Sequence, residues 1–342
     1  MTPLPEGKKY RRYIVMKRKL MLVLTVLFIF MLVGASHAAV IKIALDSPPD
    51  MENSGTYVWA KTFGDQLKAN GLDVKEFPRD ALGAEEEKLD QVTQGLLEVS
   101  MSDLAKAAQL EASIFGFHLP YMFDSQEHMD RVMEKTDLFK KVNDGTTKKG
   151  VRVLALVASG SFSGLANTKR PVNTPDDLKG LRIRAMDKNQ VEYIQAWGAS
   201  TVIVPWAEIY NALQTGIADG YLNASVVPVL FKHTEVIKYF SEIKYGAALR
   251  IAICSEQWYK KLSPADRKIV DAAALKATAA NRAWQVQIEQ KGLQGLEKAG
   301  VKVTRNTPEQ RALFAKSART VYEKVVGREV AESFVKASDA NR

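Results

Sequence analysis

The sequence predicts an α/β protein large enough to form two lobes. Strand-like and helix-like hydrophobic periods alternate from Val40 to Ala158, a pattern typical of layered α/β folds. A mature chain of about 304 residues is long enough for two domains of ordinary size. A third observation is a segment from Pro264 to Ala299 that can form one helix of roughly 30 residues, because no further proline interrupts it.

The first 38 residues are predicted to be a cleaved signal peptide and are excluded from the fold. Basic residues precede an uncharged run from Leu20 to Gly34, and small residues at Ser36 and Ala38 suit cleavage before Ala39. The 15-residue apolar run is shorter than the roughly 20 residues that a membrane-spanning helix needs. Export to the periplasm is therefore expected, with an uncleaved anchor as the alternative.

Two details of this segment leave alternatives open. Met16 is followed by Lys17, Arg18 and Lys19, so translation from Met16 would still produce an ordinary signal peptide. Arg11 and Arg12 match a twin-arginine signal only loosely, which favours general secretion.

Charge and cysteine content exclude several classes of protein. Loss of residues 1–38 removes seven basic residues and one acidic residue, so the net charge falls from +9 to +3. A chain near +3 gives no reason to expect a nucleic-acid partner. Cys254 is the only cysteine, so an intramolecular disulfide is excluded.

The elements of the first lobe follow from their hydrophobic periods. Strands are expected at Val40–Leu45, Asp73–Phe77, Glu98–Ser102 and Val151–Ala158, and helices at Ser54–Ala69, Glu85–Thr93 and Ser125–Val142.

A second lobe is predicted to begin near Phe162. It contains the expected strands Leu181–Ala185 and Thr201–Val204, the helices Lys188–Trp197 and Trp206–Thr215, and the long strand Tyr245–Ile253 that returns toward the first lobe. Further helix starts are marked by Ser255, Ser263 and Thr307, whose hydroxyls can cap free amides.

No catalytic or metal motif is recognised. The stretch Gly160–Gly164 has Phe162 where a nucleophile elbow has serine, so its serines are expected in a hinge or a cleft. The mature chain's histidines show no metal-binding spacing, and a phosphate-binding glycine loop is absent. Three acids from Glu85 to Glu87 are explained by the positive end of the helix that they open. Neither a cofactor nor a metal is predicted.

A carboxylate receptor is suggested by the stretch from Thr174 to Asn223. Arg182 and Arg184 leave the same face of one strand, and a guanidinium group binds a carboxylate through two hydrogen bonds. The strand period alone does not choose between them. Trp206 opens a helix and Asn223 ends a strand, where α/β sheets commonly bind ligands.

These residues make the chain resemble the solute-binding proteins of TRAP transporters of the DctP type. The resemblance covers essentially the whole mature chain. It is carried by Ile41–Pro49, by LGAEEEKLDQVTQG from Leu82, by Leu119–Phe123, by TPDDLKGLRIR from Thr174, by Gly198-Ala199, by EIYNALQTGIADG ending at Gly220 and by the long C-terminal helix.

The resemblance implies a two-lobed periplasmic binding protein. Each lobe would be a mixed β-sheet flanked by helices, with the long C-terminal helix bracing both lobes. The lobe boundaries are then expected at 39–161 plus 250–289 for lobe I and 162–249 plus 290–342 for lobe II. The function implied is capture of a small organic carboxylate and its delivery to membrane subunits, without catalysis.

The same resemblance assigns roles to individual residues. It implies that Arg184, rather than Arg182, grips the carboxylate, and it places Asp187, Trp206, Asn223 and Glu85 along the cleft. Phe162 is expected as a further wall of that cleft.

Two departures from the family pattern bear on the ligand. Ser163 stands where many relatives have a second arginine, and Tyr221-Leu222 interrupts a common D-G-Q-E-N-P run. With Ser163 and Tyr221 in the cleft, we expect an acid that is less charged or more aromatic than a sialic acid or a sugar acid. The alternatives are an ABC-type solute receptor, or a hydrolase or isomerase that uses Glu85 or Asp187 as a base.

Overall fold

Two mixed β-sheets organise the chain in the computed structural model, which describes Lys17, Met21 and residues 40–342. Ile41–Arg342 form one compact unit, and the account below concerns this unit. The predicted signal peptide and its cleavage site lie outside the described residues, apart from Lys17 and Met21, which are helical. Within the described part, no helix has both the length and the hydrophobicity needed to cross a membrane.

The first sheet has five strands in the order β2-β1-β3-β10-β4. Its β1 strand pairs in parallel with β2 and β3, whereas β10 is antiparallel to β3 and β4. The strands are β1 (Ile41–Ala44), β2 (Val74–Phe77), β3 (Val99–Ser102), β4 (Val151–Phe162) and β10 (Ala247–Ser255).

The second sheet has six strands in the order β11-β9-β5-β8-β6-β7. Here β6 is parallel to both β7 and β8, and β5 is antiparallel to β8 and β9. The strands are β5 (Gly164–Asn167), β6 (Arg182–Ala185), β7 (Ser200–Ile203), β8 (Gly220–Asn223), β9 (Tyr239–Ser241) and β11 (Lys302–Thr304).

Helices flank both sheets, as the alternation of periods predicted. The α-helices are α1 (Gly55–Ala69), α2 (Glu85–Gln94), α3 (Leu104–Ala107), α4 (Gln126–Lys135), α5 (Leu138–Thr147), α6 (Lys188–Ala196), α7 (Ile209–Gln214), α8 (Val226–Leu230), α9 (Glu256–Lys261), α10 (Pro264–Lys298), α11 (Pro308–Arg319), α12 (Tyr322–Val326) and α13 (Arg328–Asp339). Short 3-10 helices cover Ala112–His118, Pro175–Leu178, Trp206–Glu208 and His233–Glu235.

The predicted long helix is confirmed as α10, which has 35 residues. It begins where the Ser263 hydroxyl accepts a hydrogen bond from the Asp266 amide, with Pro264 in the first turn. Along its length it packs on α1 and β4 beside the first sheet, and on α8 and β11 beside the second. The C-terminal helices α12 and α13 pack on the 3-10 helix that ends at His118, and α11 packs on α6.

One helix prediction is wrong. The single helix expected over Ser125–Val142 is interrupted at Thr136, which separates α4 from α5. Thr136 is extended, and its hydroxyl donates to the Val132 carbonyl and accepts from the Leu138 amide. The Thr136 hydroxyl thus pairs with a free carbonyl at the end of α4 and with a free amide at the start of α5, and these hydrogen bonds stabilise the break. Likewise, the helix expected over Trp206–Thr215 begins with a 3-10 turn before α7.

The chain passes between the sheets at the Gly160–Gly164 stretch. Ser163 lies between β4 and β5, its amide donates to the Gly246 carbonyl (2.8 Å), and its carbonyl accepts from the Tyr245 amide (3.1 Å). A Cβ atom at Gly160 would lie 2.3 Å from the Cβ of Ala224, so only glycine fits this close approach. The two crossing segments are therefore joined at Ser163.

Candidate functional site

A cavity of about 300 Å³ lies at the carboxyl ends of parallel strands from both sheets. Asp46 and Asp103 follow β1 and β3 on one wall, whereas Arg184 on β6 and Asn223 on β8 line the other. Parallel strands present their carboxyl ends at one edge, which is where open α/β sheets bind ligands. Other lining residues include Ser47, Arg79, Asp80, Glu85, Glu86, Lys106, His118, Ser163, Trp206, Phe231, Tyr245 and Arg250.

Arg184 is a buried guanidinium group without an acidic partner among residues 40–342. Its residue is 6% exposed, and its Nε donates to the Val204 carbonyl at 2.8 Å. Within the described chain, its side chain forms no ion pair closer than 4.0 Å. Burial lowers the pKa of Arg184 below its usual value, although the charge of Asp103 acts in the opposite direction. A buried charge of this kind is costly unless an anion neutralises it.

Arg182 lies two residues away and is placed quite differently. It is exposed, its side chain donates to the Gly216 carbonyl, and its amide donates to the Asp219 carboxylate at 2.8 Å. It does not line the cavity. The structure thus separates two arginines that the strand period could not distinguish.

An aromatic wall stands beside Arg184. The guanidinium carbon of Arg184 lies 5.9 Å from the centre of the Trp206 ring, within the range of a cation–π contact. The indole is held edge-on by Phe231 at 5.1 Å and by Tyr221 at 5.8 Å between ring centres. Trp206 is therefore fixed in place next to the charge that it faces.

Asn223 and Ser163 add polar groups to the same wall. The Asn223 Oδ1 atom accepts from the Ala224 amide at 2.9 Å, so its Nδ2 group remains available to the cavity. Ser163 is 2% exposed and lines the cavity next to Tyr245. Both residues lie where a donor could reach a ligand oxygen.

The opposite wall is organised by Arg250, which binds three carboxylates. Its Nε donates to Asp46 at 2.6 Å, its Nη1 to Asp103 at 2.9 Å and its Nη2 to Glu85 at 2.5 Å. Lys88 is buried behind this group, with its Nζ 3.7 Å from Glu85. Burial alone would raise the pKa of Glu85, but Arg250 and Lys88 outweigh burial, and this pKa lies below its usual value.

Two polar groups on this wall lack partners. The Oδ1 atom of Asp46 and both ring nitrogens of His118 form no hydrogen bond within residues 40–342, although they are buried. Burial lowers the pKa of His118 to about 4, so the ring is neutral at pH 7. Both residues line the cavity.

The structure brings together five of the eight residues that the sequence suggested. Arg184, Asn223, Trp206, Glu85 and Ser163 all line the cavity.

The remaining three residues lie elsewhere. Asp187 caps α6 by accepting from the Gln190 amide, and burial raises its pKa. Tyr221 is fully buried, and its hydroxyl is hydrogen-bonded to His233 Nδ1 at 2.9 Å. Phe162 lines a different groove, next to Arg282. Their role as ligand contacts stays a prediction, and their positions do not favour it.

Several lining residues escaped the sequence argument. Asp103 directly follows β3 and Asp46 lies two residues after β1, and this position at a carboxyl end could have marked them. Arg250 is a single charge inside an apolar strand, which is also a recognisable signal. His118 gave no local signal. In the described part of the chain, no group of three or more His, Cys, Asp or Glu side chains is arranged to hold a metal ion.

This fold and this cavity define a receptor of the two-lobed, solute-binding class. A family model described as "Bacterial extracellular solute-binding protein, family 7", DctP, matches residues 47–329. The chain belongs to this family, as its motifs predicted, and the family's members are receptors rather than enzymes. It is the solute-binding component of a TRAP-type importer.

Known proteins of this kind are similar to this chain over most of their length. The C4-dicarboxylate-binding periplasmic protein DctP of Rhodobacter capsulatus is 28% identical over 307 residues, 88% of this chain and 91% of the relative. The ectoine/5-hydroxyectoine-binding periplasmic protein UehA of Ruegeria pomeroyi is 27% identical over 79% of this chain and 80% of its own. A TRAP periplasmic solute-binding protein from Polaromonas sp. JS666, bound to D-erythronate, has a TM-score of 0.78 and 27% identity, covering 86% of this chain and 98% of the other. The predicted two-lobed α/β fold is confirmed by such neighbours.

Proposed function

We propose that this receptor captures a small organic carboxylate in the periplasm through Arg184 and delivers it to the membrane subunits of its importer. The observation that carries the proposal is the buried guanidinium group of Arg184 at the cavity wall, which has no ion-pair partner in the described part of the chain. A ligand carboxylate would supply the missing counter-ion and accept hydrogen bonds from the terminal nitrogens. The relatives support this class of ligand, since one is named for C4-dicarboxylates and another was crystallised with D-erythronate.

The neighbours of Arg184 would orient the bound acid. Asn223 can donate from its Nδ2 group, Ser163 offers a hydroxyl, and Trp206 provides a flat apolar face. Periplasmic location is supported by the printed names of the relatives and by the predicted signal peptide. The lobe boundaries at 39–161 plus 250–289 and at 162–249 plus 290–342 remain part of this proposal.

Neither suggested general base is arranged for catalysis. Glu85 is held by Arg250 and Lys88, which favour its ionised form and make it a weak base. Asp187 is engaged in capping α6 and does not line the cavity. These observations favour binding without turnover.

The first test compares two arginines of the same strand. Arg184→Ala should weaken carboxylate binding by about 100-fold or more, since two charge-assisted hydrogen bonds contribute roughly 1.5 to 3 kcal/mol each. Arg182→Ala is the matched control, because Arg182 is exposed and off the cavity. It should bind as the parent protein does.

The ligand would be found by thermal-shift screening of aliphatic, aromatic and sugar acids, because a ligand that binds only the native state raises the melting temperature. Affinities would then be measured by calorimetry. The ligand would be recovered after binding, and its mass would be measured by mass spectrometry to detect any chemical change. Near-normal affinity in Arg184→Ala would refute the anchor. Recovery of a chemically altered ligand would refute the binding-only function.

A further inference from the structure

The cavity has opposite excess charges on its two walls. On the Arg250 side, the carboxylates of Asp46, Glu85 and Asp103 share Arg250 and the buried Lys88, so three negative charges face two positive charges. On the other side, Arg184 carries one positive charge and has no acid within 4.0 Å in the described chain. The remaining lining charges are already paired, Arg79 with Asp80 at 3.2 Å and Lys106 with Glu86 at 2.5 Å.

Arg250 is a poor second carboxylate anchor. Each of its three nitrogens already donates to a different carboxylate, at 2.5 to 2.9 Å. Two N–H groups of Arg250 remain, but a ligand carboxylate bound to them would add a fourth negative charge beside these three acids. Like charges held close together in a buried site repel one another strongly. A dicarboxylate is therefore a poor match for this cavity.

An acceptor on the same wall is left for a ligand. Asp46 is 6% exposed and its Oδ2 binds Arg250, but its buried Oδ1 has no hydrogen-bond partner in the described part of the chain. His118 is 7% exposed, and its neutral ring offers one further acceptor nitrogen. Buried polar atoms normally have partners, so an unpaired oxygen and an unpaired ring at a cavity wall point to a bound donor.

From this arrangement, and building on the proposed function, we infer that the ligand is a zwitterion. Its carboxylate binds Arg184, and a cationic nitrogen group at its other end binds Asp46 Oδ1 beside His118. Such a ligand places each of its charges opposite the excess charge of one wall, and it adds no net charge to the buried cavity. A polyhydroxy monocarboxylate would satisfy the acceptors but would leave the excess negative charge of the Arg250 group unneutralised.

The test uses probes that differ only in the group at the far end. The probes share a four-carbon skeleton and are butyrate, 4-hydroxybutyrate, 4-aminobutyrate and succinate. The corresponding five- and six-carbon compounds are tested as well, so that the distance between the two charged ends is varied. Calorimetry would be done on the mature protein after unfolding, dialysis and refolding have removed any co-purified ligand. At the best chain length, the amino acid should bind at least about tenfold more tightly than the hydroxy acid and the dicarboxylate, because its charge is paired in a buried site.

A charge-removing variant locates the cation. Asp46→Asn keeps the size of the side chain, and it should weaken amino-acid binding at least about tenfold while weakening butyrate binding by less than about threefold, because butyrate has no far-end group that could bind Asp46. Asp65→Asn is the control, because Asp65 is an exposed acid on α1, paired with Lys61 and away from the cavity. It should leave both affinities unchanged. Butyrate binding also reports whether the Asp46→Asn protein is folded.

The outcomes separate this inference from the function on which it rests. A preference for the dicarboxylate or the hydroxy acid in the unmodified protein would overturn the zwitterion while supporting carboxylate capture. Equal loss of the amino-acid and butyrate affinities in Asp46→Asn would overturn the assignment of the cation to Asp46. Failure of every probe to bind, including the simple carboxylates, would count against the carboxylate function itself.

Discussion

Replacing Arg184 by methionine should make the ligand-free protein more stable. Methionine has a similar length but neither a charge nor a donor. The variant loses the hydrogen bond to the Val204 carbonyl, which costs about 1 to 3 kcal/mol when the carbonyl stays buried. It also removes a buried guanidinium group without an ion-pair partner in the described chain, and such burial costs several kcal/mol. The balance is an expected gain of about 1 to 3 kcal/mol in the free energy of unfolding.

The assay is urea unfolding followed by tryptophan fluorescence, with ligand first removed by refolding. Arg182→Met is the control and should lie within about 0.5 kcal/mol of the parent, because Arg182 is exposed. With ligand at about 100 times its dissociation constant, the parent should gain about 2.7 kcal/mol and Arg184→Met almost nothing. A loss of more than about 2 kcal/mol in ligand-free Arg184→Met would mean that Arg184 stabilises the fold, and the reasoning would be refuted.

Two further predictions concern the opposite wall and the long helix. Arg250→Met should destabilise the protein by about 3 to 5 kcal/mol at pH 7, because three carboxylates then face one another with only Lys88 nearby. The pKa of Glu85 is lowered in the folded state, so the stabilisation that its ionised form provides is present above its unfolded pKa and is lost at lower pH. The loss of stability in Arg250→Met should therefore be smaller in urea melts near pH 4 than at pH 7. An equal loss at both pH values would contradict the charge argument. In α10, Gly292→Ala should cost roughly 1 to 3 kcal/mol, because the new Cβ would lie 2.4 Å from Ser225 Oγ and 2.7 Å from the Val226 amide nitrogen. Gly295→Ala is its matched partner, because the nearest atoms there belong to the Val229 side chain, at 3.1 Å or more, and none is a backbone atom. Equal losses in the two variants would contradict this packing.

Local chemistry explains what the sequence could predict. The long helix α10 follows from a capped proline start and an uninterrupted run, both of which are visible along the chain. The cavity edge follows from parallel strands whose carboxyl ends carry polar residues, as at Arg184 and Asn223. In each case the deciding interactions join residues that are close in sequence or that share one sheet edge.

The Arg250 group shows why the other wall could not be predicted. Its members at positions 46, 85, 103 and 250 come from four separate segments of the chain, and only the tertiary fold brings them together. The placement of Tyr221 has the same origin. An aromatic residue on β8 can face the ligand or the core, and the hydrogen bond to His233 holds it in the core. Neither of these contacts could be inferred from the spacing of residues in the sequence.

The division of charge between the walls also determines which ligands could drive the lobes together. Arg184 belongs to the six-stranded sheet, whereas Asp46 and Arg250 belong to the five-stranded sheet or the loop that follows it. A ligand that touches only one wall has the same contacts at any separation of the walls, so it cannot favour closure. A ligand whose second charged end reaches Asp46 gains that contact only when the walls approach. Selection by this receptor should therefore depend on the length and far-end charge of the acid more than on the carboxylate, which every candidate ligand shares.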